Sequence, residues 1–296
     1  MANDSGAVRL SRGLVLGGGG PVGRAWQAGL MDGFASQGIN LGTADLIIGT
    51  SAGAVVGAQL ALKQGFGAPP RIDAAPLVYS GSMVDLATAM ARAAQSSEPE
   101  PIRAEIGRMA LNAQTISEEA SISRSIFAPY VGQAWPSQFL ITCVNARTGQ
   151  LRIWDASSGA PLERAIAAST AAPCIWPPIT INGERYIDGG VRSMLNADLA
   201  IGFDIVIAVS CFPLTARDEA GPAFFKAMNA ALLAELDAVR GSGATLAVIE
   251  PRSDFVMLTK HGTAMMDSNL VPEAHQLGQV TAVGQAESVR RVWNLH

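Results

Sequence analysis

The feature that most constrains this chain is an apolar run that leads into a glycine-flanked serine and then into a small-residue segment. Residues 46–48 are Leu-Ile-Ile, and Gly49-Thr50-Ser51-Ala52-Gly53 follows at once. This order predicts a buried strand, a sharp turn and a helix, because glycines at both ends of the motif allow a tight turn and a close helix–strand contact. Such a turn raises the Ser51 hydroxyl to the rim of a sheet and leaves helix amides unpaired beside it. Ser51 is therefore a candidate nucleophile; the alternative is a glycine-rich turn without a chemical role.

A second glycine loop lies earlier in the chain. Residues 12–16 predict a short strand, a run of four glycines follows it, and a helix is predicted over residues 21–37. Gly18, Gly20 and Gly23 match the pattern Gly-x-Gly-x-x-Gly, which binds the pyrophosphate of dinucleotides at a helix N-terminus. Dinucleotide binding is therefore the main rival to acyl transfer.

The end of the second strand argues against a dinucleotide. A dinucleotide-binding fold places an acidic residue there to hold a ribose, whereas this chain has Ser51 after the strand and Asp45 before it. The other use of unpaired amides is to stabilise an oxyanion. Two parallel strands end at the same edge of a sheet, so we expect the amides of Gly18, Gly19 and Gly20 to face the same substrate carbonyl as Ser51.

Composition excludes several classes of protein. The 296 residues carry a net charge of -4 without a Lys/Arg run, which argues against nucleic acid as a partner. Residues 1–12 lack the apolar run of a signal peptide, and the uncharged stretches are too interrupted to span a bilayer, so a cytoplasmic protein is expected. Cys143, Cys174 and Cys211 lie in apolar surroundings, which favours buried free thiols over a metal site or a disulfide.

The remainder of the chain predicts one domain over residues 1–296. A motif-bearing core covers about residues 12–210, and a largely helical part covers about residues 215–296. Residues 162–169 predict a small-residue helix, residues 172–178 an extended apolar segment and residues 245–249 a buried strand. In residues 66–136 the pattern of the core is broken into short pieces. These residues predict a helical insertion over the edge of the sheet, with helices at 83–94 and 102–112. The insertion is expected to act either as a lid or acyl-chain wall, or only as a spacer that packs on the core.

Two kinds of residue could act as the base that takes the proton of Ser51. His261 and His275 follow the last core strand, so chain order allows a Ser–Asp–His triad. The alternative is Asp188, which ends a short predicted strand and precedes Gly189 and Gly190. Burial beside Ser51 would raise the basicity of this carboxylate, although Asp-Gly-Gly is also common in plain turns.

Taken in order, these motifs resemble a known family. Gly18-Gly19-Gly20-Pro21-Val22-Gly23, then Gly49-Thr50-Ser51-Ala52-Gly53, then Asp188-Gly189-Gly190 are similar to the signature of patatin-like phospholipases. The resemblance covers about residues 12–210, with residues 66–136 and 215–296 outside it. It implies a three-layer α/β/α fold with a mostly parallel central sheet, and a Ser–Asp dyad without histidine.

The resemblance also implies roles for individual residues. Ser51 would be the nucleophile, Asp188 the base and the amides of Gly18, Gly19 and Gly20 the oxyanion hole. The partner would be an acyl-ester lipid, with room for transient contact with a membrane surface, and neither a cofactor nor a metal is implied. Members of the family commonly carry Arg or Lys where this chain has Val22, and Arg24 follows shortly after.

The sequence therefore predicts a serine acyl-ester hydrolase, of phospholipase A or esterase type, that works through an acyl-enzyme. Gly23, Gly49, Gly53, Gly189 and Gly190 are expected to shape the turns around its site. One alternative is a catalytically weak lipid-binding or regulatory protein of the same fold. The other is a dinucleotide-binding oxidoreductase.

Overall fold

The computed structural model describes residues 9–66, 83–214 and 223–295. These residues form a mixed α/β fold with a mostly parallel sheet, which confirms the fold class predicted from the sequence. The strands of the described residues are β1 (Arg12–Leu16), β2 (Leu46–Gly49), β3 (Phe139–Asn145), β4 (Leu151–Trp154), β5 (Ile179–Ile181), β6 (Glu184–Asp188), β7 (Ile205–Val209) and β8 (Thr245–Ile249).

The sheet runs in the order β5-β6-β3-β2-β1-β7-β8, with β4 paired to β3 outside this path. Five strands are parallel to their neighbours, and β4, β5 and β6 pair antiparallel. Leu16 at the end of β1 pairs with both Gly49 of β2 and Val209 of β7. The glycine loop that follows β1 and the Ser51 turn that follows β2 therefore leave the sheet at the same edge, as predicted.

Strand β3 joins the two halves of the site. Ile141 pairs with Gly49 of β2, and Cys143 pairs with Asp188 of β6, while β4 pairs with the same two residues of β3. A strand has only two edges, so β2 and β6 share the edge of β3 that β4 does not occupy. Their last residues face positions two residues apart on β3, which is about 7 Å along the strand.

Helices cover both faces of the sheet. Leu14 and Leu16 of β1 point into the core on one side and Val15 into the core on the other, as expected for alternating side chains. Helices α1, α2, α6 and α9 contribute to the first core, and α7 contributes to the second. The helices of the described residues are α1 (Gly20–Ser36), α2 (Ala52–Ala61), α3 (Met83–Gln95), α4 (Pro99–Asn112), α5 (Glu118–Ile122), α6 (Leu162–Ser169), α7 (Ala223–Gly241), α8 (Ser253–Leu258) and α9 (Val271–Trp293).

The insertion is helical, as the sequence predicts. α3 and α4 pack on each other, and Ile106 and Ala110 of α4 form a small core with Val144 of β3 and Ile187 of β6. This core lies beyond the end of β2, next to the site. Residues 67–82 of the predicted insertion and 215–222 of the predicted helical part lie outside the described residues.

One of the local predictions is wrong. Residues 172–178, expected to be extended, form a turn in which the amides of Ile175 and Trp176 donate to the Ala172 carbonyl at 3.1 and 3.0 Å. Cys174 adopts φ 64° in that turn. The short helix α8 was not predicted. Within the described ranges, none of the helices combines the length and hydropathy needed to cross a bilayer.

Candidate active site

Ser51 lies in the sharp turn between β2 and α2. Its backbone adopts φ 55° and ψ -117°, a left-handed φ that is uncommon for a residue with a Cβ and recurs at functional sites. The turn is this tight because Gly53 packs directly on the backbone of Leu16, and a Cβ on Gly49 would lie 2.6 Å from the Cα of Ala54. Ser51 is 9% exposed and lines the cavity described below.

Asp188 lies at the end of β6, beside the Ser51 turn. One carboxylate oxygen accepts a hydrogen bond from the Gly190 amide at 2.8 Å. Burial removes water from Asp188, which is 7% exposed, and raises its pKa from 3.8 to about 7 against the opposing effects of the Gly190 amide and the neighbouring Ser51 side chain. A carboxylate with this pKa is a far stronger base than an ordinary aspartate. Gly189 is required here because a Cβ would collide with Thr142.

Three amides beside Ser51 are left without an acceptor among the described residues. They belong to Gly19 and Gly20, at the start of α1, and to Ala52, the first residue of α2. The amide of Gly18 is not available, because it donates to the Met194 carbonyl at 2.8 Å. Of the three loop amides named from the sequence, those of Gly19 and Gly20 are thus unpaired, and the Ala52 amide is one of the unpaired helix amides predicted beside Ser51.

A cavity of about 530 Å³ opens over these groups. Ser51, Asp188, Gly19, Gly20 and Ala52 all line it. The volume is within the usual range of small-molecule sites, and the walls are mostly apolar. Several segments supply large apolar side chains to the cavity wall, among them the insertion, the turn at residues 172–178 and the segment after β7. These side chains include Leu86, Met90, Ile126, Phe127, Trp176 and Phe212.

Part of the chain is similar in sequence to a known protein family. Residues 82–201 match the sequence model of the patatin-like phospholipase family. Over these residues the sequence is similar to that family, and the match covers less than half of the chain. The match includes Asp188, Gly189 and Gly190 and also the helices α3 and α4, which the motif resemblance had left out. It begins after Ser51 and the glycine loop.

The chain also has a broader but weaker similarity to solved structures. VipD from Legionella pneumophila is 13% identical with a TM-score of 0.46, over 95% of this chain and 67% of VipD. The type III effector protein ExoU is 15% identical with a TM-score of 0.42, over 94% of this chain and 53% of ExoU. The chain thus spans about two thirds and about half of these two proteins. The search of curated proteins gave no match.

A series of hydrogen bonds supports the Ser51 turn on the side away from the cavity. The Ser51 amide donates to Ser169 Oγ at 2.9 Å, and Ser169 Oγ donates to the Thr142 carbonyl at 2.8 Å. Asn196 Nδ2 donates to Thr50 Oγ1 at 3.0 Å. These residues are distant in sequence, and only the pairing of β3 brings them together, so sequence reasoning could not assign them this role.

The histidine bases and the dinucleotide-binding alternative find less support in the geometry of this site. His275 Nε2 lies 3.0 Å from Asp32 Oδ2, a pairing between α9 and α1. Among the described residues that line the cavity there is no histidine, although Gly262 and Thr263, which follow His261, do line it. Asp45 accepts from the Arg12 amide at 2.8 Å, at the edge of the sheet opposite the glycine loop.

Proposed function

We propose that the protein is a serine acyl-ester hydrolase acting on lipid-like esters. The observation that carries this proposal is the contact between Ser51 and the buried Asp188 in an apolar cavity, beside the unpaired amides of Gly19 and Gly20. The family match supports lipid acyl hydrolysis in general. The dyad and the ester specificity are proposed from the geometry.

Asp188 acts as the base in this proposal. Its raised pKa makes the carboxylate able to accept the Ser51 proton as the hydroxyl attacks the ester carbonyl. The carbonyl π electrons move to oxygen and form a tetrahedral oxyanion. When this collapses, the C–O bond to the leaving alcohol breaks and Asp188 returns the proton to that alcohol. Water then repeats the sequence on the acyl-enzyme, releases the fatty acid and restores Ser51.

The amides of Gly19 and Gly20 stabilise the oxyanion, together with the Ala52 amide. They are fixed by the helix starts that carry them, so little reorganisation is needed when charge develops. A Cβ on Gly19 would lie 2.6 Å from Cys211 Sγ, which shows how closely the loop is packed from behind. The apolar walls formed by residues such as Met90 and Phe127 would hold the acyl chain.

Covalent labelling tests the proposal directly. A fluorophosphonate should label the wild-type protein at Ser51, and Ser51→Ala should lose both labelling and ester turnover while keeping its fold. Ser36→Ala is the matched control, because Ser36 is exposed and its hydroxyl only donates to the Gly33 carbonyl on the same helix. Turnover that persists in Ser51→Ala would refute the mechanism.

A further inference from the structure

A short segment after β6 contacts both loops of the site. The Met194 carbonyl accepts a hydrogen bond from the Gly18 amide of the glycine loop at 2.8 Å. In the same segment, Asn196 Nδ2 donates to Thr50 Oγ1 at 3.0 Å, directly before the nucleophile. We call residues 193–197 the bridging segment. Because one segment binds both loops, its shape sets the distance between the nucleophile and the oxyanion amides.

The bridging segment depends on side-chain hydrogen bonds for its shape. Residues 193–196 belong to neither a helix nor a strand, and Asn196 adopts a left-handed φ of 55°, which is uncommon for a residue with a Cβ. The Ser193 hydroxyl oxygen accepts hydrogen bonds from the amides of Leu195 and Asn196 at 3.1 and 2.9 Å. The conformation of the segment is therefore set by the place at which the Ser193 hydroxyl is held.

Glu235 of α7 holds the Ser193 hydroxyl from outside the segment. Its Oε2 atom accepts from Ser193 Oγ at 2.9 Å and from the Ala197 amide at 3.0 Å. Since two amides occupy the lone pairs of the Ser193 oxygen, the hydroxyl proton is the group left to point at Glu235. One carboxylate oxygen therefore ties both ends of the bridging segment to a helix of the second core.

The electrostatics of Glu235 show that packing alone does not explain an acid at this position. The neighbouring cation, Arg192, forms a two-point ion pair with Asp198, at 2.8 and 2.6 Å. Burial raises the pKa of Glu235 to about 7, and the charge of Asp198 acts in the same direction. Burying a carboxylate in this way costs folding free energy. Glu235 is also not among the described residues that line the cavity, so substrate contact does not explain it either.

We propose that Glu235 is a positioning residue for Ser51 and acts by fixing the bridging segment. The inference rests on the proposed function, because it names a residue that prepares the same site for attack on an ester. Oε2 receives both hydrogen bonds, so a proton on the other carboxylate oxygen leaves these contacts intact. The role therefore depends on an oxygen acceptor at this place and not on negative charge.

The rate at which a fluorophosphonate labels Ser51 tests this inference at the nucleophile itself. Glu235→Gln keeps an amide oxygen as acceptor and should be labelled within about twofold of the wild-type rate. Glu235→Ala removes the acceptor and should be labelled at least about tenfold more slowly, because misplacing reacting groups by an ångström can cost about 100-fold in rate. In steady-state ester hydrolysis the loss should fall on kcat, with KM little changed, because the residues of the cavity wall are untouched.

Val239→Ala separates positioning from a general loss of stability. Val239 lies one turn after Glu235 in the same helix and is buried in the second core. Its truncation should lower the thermal midpoint but leave the labelling rate at the wild-type value. If Glu235→Ala does not fold, Ser193→Ala takes its place, since it breaks the same link at the other end and should slow labelling in the same way.

The proposal is overturned if Glu235→Ala, or Ser193→Ala in its place, is labelled as fast as the wild type. It is also wrong if Glu235→Gln is as slow as Glu235→Ala, since the charge and not the acceptor would then matter. Equal slowing of Val239→Ala would reduce the effect to stability. Failure of the proposed hydrolase looks different: the wild-type protein itself would not be labelled at Ser51, which removes the nucleophile that Glu235 is proposed to position.

Discussion

Replacing Asp188 with asparagine should make the protein more stable at alkaline pH while abolishing hydrolysis. The side chain is 7% exposed and ends in a carboxylate that is neutral only below about pH 7. Asparagine has the same size and can still accept the hydrogen bond from the Gly190 amide. It removes the buried negative charge and, with it, the base that takes the Ser51 proton.

The size of the effect follows from the pKa shift. The native state holds the Asp188 proton more tightly than the unfolded chain, because burial raises the pKa from 3.8 to about 7. The resulting stabilisation is complete below the unfolded pKa and is lost as the pH rises through the folded pKa. Each pKa unit corresponds to about 1.4 kcal/mol, so the loss totals about 4 kcal/mol. About 2.5 kcal/mol of it falls between pH 5 and pH 8.

Paired urea denaturation at several pH values measures this directly. The free energy of unfolding of Asp188→Asn minus that of the wild type should grow by about 2.5 kcal/mol from pH 5 to pH 8. Other titrating groups are common to both proteins and cancel, including Glu235, whose pKa burial raises to about 7. Asp237→Asn is the control, since it makes the same chemical change at a side chain that is 72% exposed. If the curves of unfolding free energy against pH are parallel for Asp188→Asn and wild type, the conclusion that burial raises the pKa of Asp188 is wrong.

Three other predictions concern the oxyanion loop, the support of the turn and the cavity wall. Gly19→Ala should lower kcat by about 10²–10³ with substrate affinity less affected, because a Cβ 2.6 Å from Cys211 Sγ must displace the loop; steady-state kinetics that match wild type would count against it. Ser169→Ala removes the acceptor of the Ser51 amide, so unfolding free energy should fall by about 1–3 kcal/mol and acylation should slow, as urea titration and burst kinetics would show. Met90→Trp should shift the preference of an ester series toward shorter acyl chains, and an unchanged preference would mean that Met90 does not contact the chain.

Much of the fold could be predicted because its signals are local. The strand at residues 12–16, the helix at residues 162–169 and the strand at residues 245–249 have the predicted bounds, since each is an apolar run or a small-residue stretch with clear breakers at its ends. The meeting of two glycine loops at one edge followed from parallel pairing alone. The approximate bounds of α3 and α4 followed from helical periodicity.

The rest depends on long-range pairing, which a single sequence does not encode locally. That Asp188 lies beside Ser51 follows from β6 continuing the edge of β3 that β2 leaves free. The hydrogen bond from the Gly18 amide to the Met194 carbonyl could not be predicted for the same reason, because the two residues meet only in the folded protein. The turn at residues 172–178 was misread because its prolines favour extended backbone, whereas Cys174 takes a left-handed conformation there.

Because β2 and β6 pair with the same edge of β3, the spacing between Ser51 and Asp188 can stay fixed while the cavity wall changes. The spacing between Ser51 and Asp188 is fixed by Ile141 and Cys143 on β3, whatever the length of the chain between β2 and β3. That intervening chain includes α3, whose Leu86 and Met90 form part of the cavity wall. Segments of different length could therefore be grafted between β2 and β3 without moving Ser51 relative to Asp188. If the proposed function holds, such chimaeras would exchange the preference for acyl-chain length between proteins and leave the proposed catalytic pair in place.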